Sequence, residues 1–263
     1  MNFALTGVAG YIAPKHLEAI KEVGGNLIAC LDPRDSVGIL DRYFPNAEFF
    51  KDEVEFWKFI DKKVDYVSIC SPNYQHFHQI QAAIMCGAKP ICEKPLVINA
   101  NQIDLLMGDV NVILQLRLLF KDLKEKVTSG HKVEVKYVTP RGKWYSKSWK
   151  ADFEKSGGLL MNIGVHLFDL LIWLFGDVTE IHKEMIDARL ATGVFSFEKA
   201  KVEWTLSLDG EAGRKMIVDG VEYNFSSIDL HKESYKEIIE GRGFTQEDAR
   251  KSIELINLIY GVE

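Results

Sequence analysis

Gly7-Val8-Ala9-Gly10-Tyr11-Ile12-Ala13 decides how this chain folds. It follows the apolar run Phe3-Ala4-Leu5 and leads into a helical pattern over residues 13 to 23, so it reads as the turn between a first strand and a first helix. At such a turn the backbone amides of a helix N-terminus can hold a pyrophosphate, and glycines let it approach closely. The spacing departs from strict G-x-G-x-x-G, and by itself it also suits a plain strand-to-helix turn. Asp32 favours the cofactor reading. It ends the next strand, 22 residues after Gly10, where a carboxylate accepts hydrogen bonds from the adenosine ribose and repels a 2′-phosphate. NAD is therefore expected over NADP, with Arg34 a slight counterweight; the competing role for Asp32 is turn formation before Pro33.

The rhythm around this turn continues through residue 92. Leu27-Ile28-Ala29-Cys30-Leu31, Tyr66-Val67-Ser68-Ile69-Cys70 and Pro90-Ile91-Cys92 read as buried strands, with helical patterns at about 13 to 23, 52 to 61 and 75 to 86 between the runs. That is the βαβ order of a doubly wound, Rossmann-type parallel sheet, completed by Val110-Asn111-Val112-Ile113-Leu114. Beyond a helix at 118 to 128 the texture changes. Lys132 to Thr139 alternates, a loop rich in Trp, Lys and Tyr follows, and 157 to 175 reads as a strongly apolar helix. Strand candidates at 178 to 187, 192 to 197, 200 to 208, 214 to 219 and 221 to 225 then suggest an antiparallel meander. Helices at about 230 to 240 and 245 to 260 follow. The expected domains are residues 1–117 and 118–263, and a chain of 263 residues is long enough for two cores.

Composition narrows the function. A net charge of -6 without a basic cluster argues against nucleic acid. No apolar stretch is expected to reach the roughly 20 residues that span a bilayer, and the N-terminus lacks a basic leader, so a cytoplasmic protein is expected. Cys30, Cys70, Cys86 and Cys92 lack metal-ligand spacing and read as reduced core thiols, with no metal expected.

The chemistry concentrates in two places. Ile91-Cys92-Glu93-Lys94-Pro95-Leu96 sets a lysine just past a strand end, where partial desolvation beside a cofactor can lower its pKa enough for proton exchange with an alcohol. An exposed strand-end lysine is the bland alternative. Gly157 to Asp169 places Asn162, His166 and Asp169 at helical spacings of four and three, a polar face on an apolar helix. Its alternative is a satisfied core histidine. Oxidising a secondary alcohol requires a base and a group that steadies the developing alkoxide, and Lys94 and His166 are the candidates. The cofactor contacts expected are Gly7, Ala9, Gly10, Tyr11 and Ile12, then Asp32, then Ser71, Pro72, Asn73 and His76, with Glu93 and Lys94 at the next strand end.

Glu93-Lys94-Pro95, Ser71-Pro72-Asn73 with His76, and the helix from Gly158 to Asp169 together resemble the Gfo/Idh/MocA oxidoreductase family. The resemblance covers nearly the whole chain and implies an N-terminal Rossmann domain followed by an α/β domain. That second domain has a large, mostly antiparallel open sheet, commonly the interface of a homo-oligomer, here a dimer or tetramer. Gly7 to His16, Asp35 to Gly38, Ser68 to Tyr74, Ile113 to Arg117, Arg141 to Tyr145 and Lys147 to Lys150 are similar to one branch. Its members use NAD to oxidise the C3 hydroxyl of UDP-N-acetylglucosaminuronate during bacterial surface-polysaccharide synthesis.

By that resemblance Lys94 and His166 form the catalytic pair, with the Lys94-Pro95 bond cis. The substrate is held by Arg117, Tyr145, Lys147, Trp149, Lys150, Asn162 and His166. A diphosphate and a uronate need cations, which Arg117, Arg141, Lys147 and Lys150 could supply, beside Trp144, Tyr145 and Trp149 as stacking surface. That loop read by itself also suits a solvated segment with aromatic anchors. The family often carries an acid where this chain has Asn162. The helix after Leu96 is expected to be short, and the chain stops at Glu263, where relatives often continue. The alternative functions are a family dehydrogenase of a free sugar or cyclitol, and a non-catalytic NAD-binding sensor.

Overall fold

The computed structural model describes residues 1–225 and 229–262. The chain divides into two units, Met1–Gln115 with Asp229–Arg250, and Leu116–Ile228 with Lys251–Glu263. The first break lies beside the expected boundary at 117. Asp229–Arg250, expected in the second domain, instead packs with the first, and part of the reason is a backbone ladder: Phe244–Thr245 pairs antiparallel with Asn111–Val112.

In the first unit the strands β1 (Asn2–Thr6), β2 (Asn26–Leu31), β3 (Glu48–Phe50), β4 (Tyr66–Ile69), β5 (Lys89–Cys92) and β6 (Asn111–Val112) form a sheet in the order β6-β5-β4-β1-β2-β3, with Phe244–Thr245 beyond β6. All pairs from β6 to β3 are parallel, as a doubly wound fold requires. Helices cover such a sheet on both faces, so its strands are apolar throughout rather than alternating: Phe3, Ala4 and Leu5 are fully buried, as are Val67, Ile69, Ile91 and Cys92. The helix Ala13–Glu22 turns Leu17, Ala19 and Ile20 into this core, and His16 with them. β3 escaped the sequence reading because Glu48–Phe50 is short and partly exposed. Between Leu96 and β6 the backbone makes the 3₁₀ turn Ala100–Gln102 and further turn bonds as far as Leu106, in keeping with the short helix expected there.

The second unit carries β7 (His131–Val138), β8 (Val178–Ile186), β9 (Leu190–Phe197), β10 (Ala200–Ser207), β11 (Gly213–Val218) and β12 (Val221–Asn224), in the order β12-β11-β7-β10-β9-β8. The expected strands are present, but they are not a simple meander. β7 inserts between β10 and β11, parallel to the former and antiparallel to the latter. One face is apolar: Val133, Val135, Tyr137, Phe195, Val202, Trp204 and Leu206 are buried, and Phe168 stacks edge-on against Trp204 at 5.1 Å. Phe153–Phe175 is long and apolar enough by composition to cross a bilayer, contrary to expectation, yet most of it is buried. It is the core helix of this unit, and its leucines and phenylalanines explain the hydropathy.

Candidate active site

The first unit builds a nucleotide cradle from its first turn. Gly7 has φ +79°, and a Cβ there would lie 2.7 Å from the backbone of Cys70 and Ser71. Glycine is required at this position on both counts. The turn closes through Gly10 N–H donating to the Gly7 carbonyl at 2.9 Å, and a Cβ on Gly10 would meet that carbonyl at 2.9 Å. No side chain caps the helix Ala13–Glu22 that follows; the Ala13 amide donates to the Gly10 carbonyl at 3.3 Å and the Lys15 amide to the Ile12 carbonyl at 3.0 Å, while Pro14 has no amide proton. Asp32 is buried at the end of β2, where its Oδ2 accepts from the Ala9 amide at 3.0 Å and its Oδ1 from the Arg34 amide at 2.9 Å. Each carboxylate oxygen keeps a further lone pair, so Asp32 can fix the turn and still receive ribose hydroxyls. The residues fit a dinucleotide: a glycine turn without side chains in the way, a helix N-terminus behind it and an oriented acid. Tyr11 is 98% exposed, whereas Ile12 packs against the core.

At the next strand ends the expected contacts take more specific parts. Ser71 Oγ and Thr6 Oγ1 both donate to Gln79 Oε1, at 2.8 and 2.6 Å. Asn73 is buried and Pro72 half-buried. The His76 ring is buried between two carbonyls, with Nδ1 2.7 Å from Pro95 O and Nε2 2.9 Å from Ser71 O. Burial pushes its pKa down, against the two carbonyls, which favour the charged ring. His76 thus braces the turn after β4 against the turn after β5. The Lys94-Pro95 peptide in that second turn is cis.

Glu93 occupies a polar core that sequence reasoning missed. Its Oε1 accepts from His16 Nε2 at 3.0 Å and from His231 Nε2 at 2.9 Å, and its Oε2 lies 3.3 Å from the Lys94 amide. His16 Nδ1 meets the Tyr235 hydroxyl at 2.8 Å, which meets Ser68 Oγ at 2.6 Å. Burial is the largest influence on Glu93 and opposes its charge, but the two rings outweigh it and hold the carboxyl well below the usual range. His16, Glu93 and His231 offer the donor atoms of a divalent-metal site within 4.8 Å of one another. Here those atoms bond to each other instead. His16 does stand in the segment Gly7 to His16, but its partners lie 77 and 219 residues away, beyond any local pattern.

The second unit holds the other candidates. A π turn, Leu160–Gly164, opens the core helix Val165–Phe175, and such turns recur at functional sites. Asn162 lies within it, buried, with Nδ2 donating to Tyr145 Oη at 3.0 Å. Burial pushes the Tyr145 phenol pKa up, so its proton stays available for donation. His166 is half-buried in the first turn of the helix. Arg117, expected to meet an anionic substrate, is buried instead in a bidentate pair with Asp169, Nε to Oδ2 at 3.0 Å and Nη2 to Oδ1 at 2.8 Å. In the aromatic loop Lys147 is exposed, while Trp149 and Lys150 are half-buried, the ammonium 4.5 Å from the Trp149 ring centroid. Trp144 packs edge-on against Tyr145 at 5.8 Å. Lys94 belongs to the first unit and His166 to the second.

Known proteins share this fold. A family model described as "Oxidoreductase family, NAD-binding Rossmann fold" matches residues 1–108, and one described as "Oxidoreductase family, C-terminal alpha/beta domain" matches residues 124–249. Among solved structures, the chain is similar to the WlbA (WbpB) dehydrogenase from Thermus thermophilus in complex with NAD and UDP-GlcNAcA. The two are 42% identical with a TM-score of 0.94, over 98% of this chain and 94% of that one. A second structure of the Thermus dehydrogenase, with NAD and alpha-ketoglutarate, matches at 40% identity and TM-score 0.94 over 100% of this chain and 96% of that one. Among curated proteins, D-glucoside 3-dehydrogenase from Escherichia coli is 27% identical over 43% of this chain and 36% of its own length. The matches to the first curated relatives span 35 to 36% of those proteins.

Proposed function

The chain belongs to the Gfo/Idh/MocA oxidoreductase family, and from that premise we propose that it uses NAD to oxidise the C3 hydroxyl of UDP-N-acetylglucosaminuronate. The observation that carries this reading is the 42% identity to a Thermus dehydrogenase that binds NAD and UDP-GlcNAcA, over nearly the full length of both chains. The Gly7 to Ala13 turn and Asp32 would hold the dinucleotide, whose nicotinamide supplies the hydride acceptor. Lys94 and His166 take the proton of the reacting hydroxyl and steady its oxygen. Asn162 and Tyr145, bonded to each other, orient the sugar, and Lys147, Trp149 and Lys150 offer charge and a stacking face to its anionic groups. Arg117 serves this site through Asp169, by fixing the helix that carries His166.

The remaining assignments belong to the same proposal: a cytoplasmic enzyme of surface-polysaccharide synthesis that works as a homo-oligomer. The outer face of the second sheet supports the last point. It carries both signs of charge, Glu134, Glu184 and Glu203 beside Lys136 and Lys215, so two copies of the face could pair acid with base. The test is incubation with NAD and UDP-GlcNAcA, with and without alpha-ketoglutarate, a keto acid able to reoxidise NADH. NADH absorbance is expected without the keto acid and 3-keto sugar nucleotide in both cases. Neither, with NAD bound, would overturn the reading. Inhibition by UDP separates this enzyme from one acting on a free sugar or cyclitol.

A further inference from the structure

The segment Asp229–Arg250 returns to the first unit, and His231, the first residue of its helix, is 3% exposed against Glu93. Its two nitrogens face two acids, Nε2 at 2.9 Å from Glu93 Oε1 and Nδ1 at 2.7 Å from Asp229 Oδ1. A ring that donates to both is an imidazolium. The neighbouring His16 ring lies 4.8 Å away between centroids, and its contacts suit a neutral ring: Nε2–H to Glu93, and Nδ1 as acceptor for the Tyr235 hydroxyl. A second cation at that distance in a buried site would be repelled. Lys15 completes the set, 2.7 Å from Asp229 Oδ2. Glu93 and Asp229 are thus balanced by His231 and Lys15, and the Gln115 Nε2 lies 3.2 Å from His231 Nδ1 and 3.1 Å from His231 Nε2.

We propose that His231 is a positioning residue for Lys94. Donating to both acids at once, it ties Glu93 to the returning segment and so fixes the Glu93-Lys94-Pro95 turn from which the lysine side chain leaves. Nothing in the mechanism otherwise accounts for a buried charged ring beside the strand end. The role rests on the assignment of Lys94 to proton handling in the proposed reaction. The groups that set the ring's charge are Glu93 after β5, Asp229 before its own helix, and His16 and Lys15 on the helix Ala13–Glu22. Burial is the largest single influence and disfavours the charge, but Glu93 and Asp229 together outweigh it and hold the ring's pKa above the ordinary histidine value. The bridge is therefore complete below the ordinary histidine value of 6.5 and is lost as pH rises through that raised value.

Two measurements test this. In long-range proton–nitrogen NMR spectra of the full chain with NAD, the His231 ring should carry protons on both nitrogens at about pH 6, below the ordinary histidine value. The Lys94 Cε resonance, assigned with Lys94→Arg, should shift at the midpoint where the ring loses its proton, and His231→Gln should abolish that shift. A neutral ring at about pH 6, or a Lys94 resonance indifferent to the ring, overturns the proposal whether or not the chain oxidises UDP-GlcNAcA. In turnover, His231→Gln should lower kcat about tenfold to a hundredfold while KM and NAD affinity change less than about twofold. It should also remove the alkaline limb at the His231 midpoint. Unchanged kcat overturns the role, and Asp229→Asn stands in if His231→Gln does not fold. Wild-type protein inert toward UDP-GlcNAcA condemns the assigned reaction, while the resonance coupling still decides the positioning role.

Discussion

At the residue scale the account turns on Gly7, Lys94 and Glu93. Gly7→Ala forces a Cβ to within 2.7 Å of backbone at a positive φ, so it should cost about 1 to 3 kcal/mol of stability and sharply weaken NAD binding. Calorimetric titration with NAD checks this. Lys94→Ala should lower kcat by about 10² to 10⁴ while NAD binding persists, since it removes proton handling and leaves the cradle intact. Steady-state rates beside NAD titrations separate those effects. The Gly7 turn and the place of Asp32 at a strand end are legible in the sequence because each carries local punctuation. Glu93 was read as a cofactor contact, but its carboxylate oxygen Oε1 is taken by His16 and His231, the latter 138 residues away. Arg117 was read for its charge, yet its guanidinium is held by Asp169, 52 residues on. Side-chain pairing across such separations leaves no periodic trace.

At the element scale, alternation and apolar runs located most strands, but not their order. β7 reads as an ordinary alternating strand, and nothing in its pattern says that it lies between β10 and β11. The π turn was equally hidden, since an apolar run such as Leu159-Leu160-Met161 suits any helical pitch. The core helix also carries a testable dependence. Removing Arg117 strips the buried Asp169 carboxylate of its bidentate cation, so Arg117→Ala should destabilise the second unit by about 3 to 5 kcal/mol. Replacing both partners with apolar residues of similar volume should restore much of that loss. Urea unfolding followed by tryptophan fluorescence compares the variants.

At the scale of the molecule, buried histidines set the response to acid. His16 and His76 are held below the ordinary histidine value of 6.5, in both cases chiefly by burial. The unfolded chain therefore takes up protons that the folded chain refuses, and stability should decline as pH falls below 6.5. Glu93, held well below its ordinary 4.5, adds a second decline at lower pH, as its stabilising charge is lost. His231 acts with the opposite sign, its contribution complete below 6.5 and lost as pH rises through its raised value. Melting temperatures across the pH range should show these limbs, and His76→Gln should shallow the first acid one. The most direct test of the central claim is transfer of a label. UDP-GlcNAcA carrying deuterium at C3, incubated with NAD and this protein, should yield NADH one mass unit heavier and a 3-keto sugar nucleotide without the label. Unlabelled NADH, or none while NAD is bound, would contradict the account.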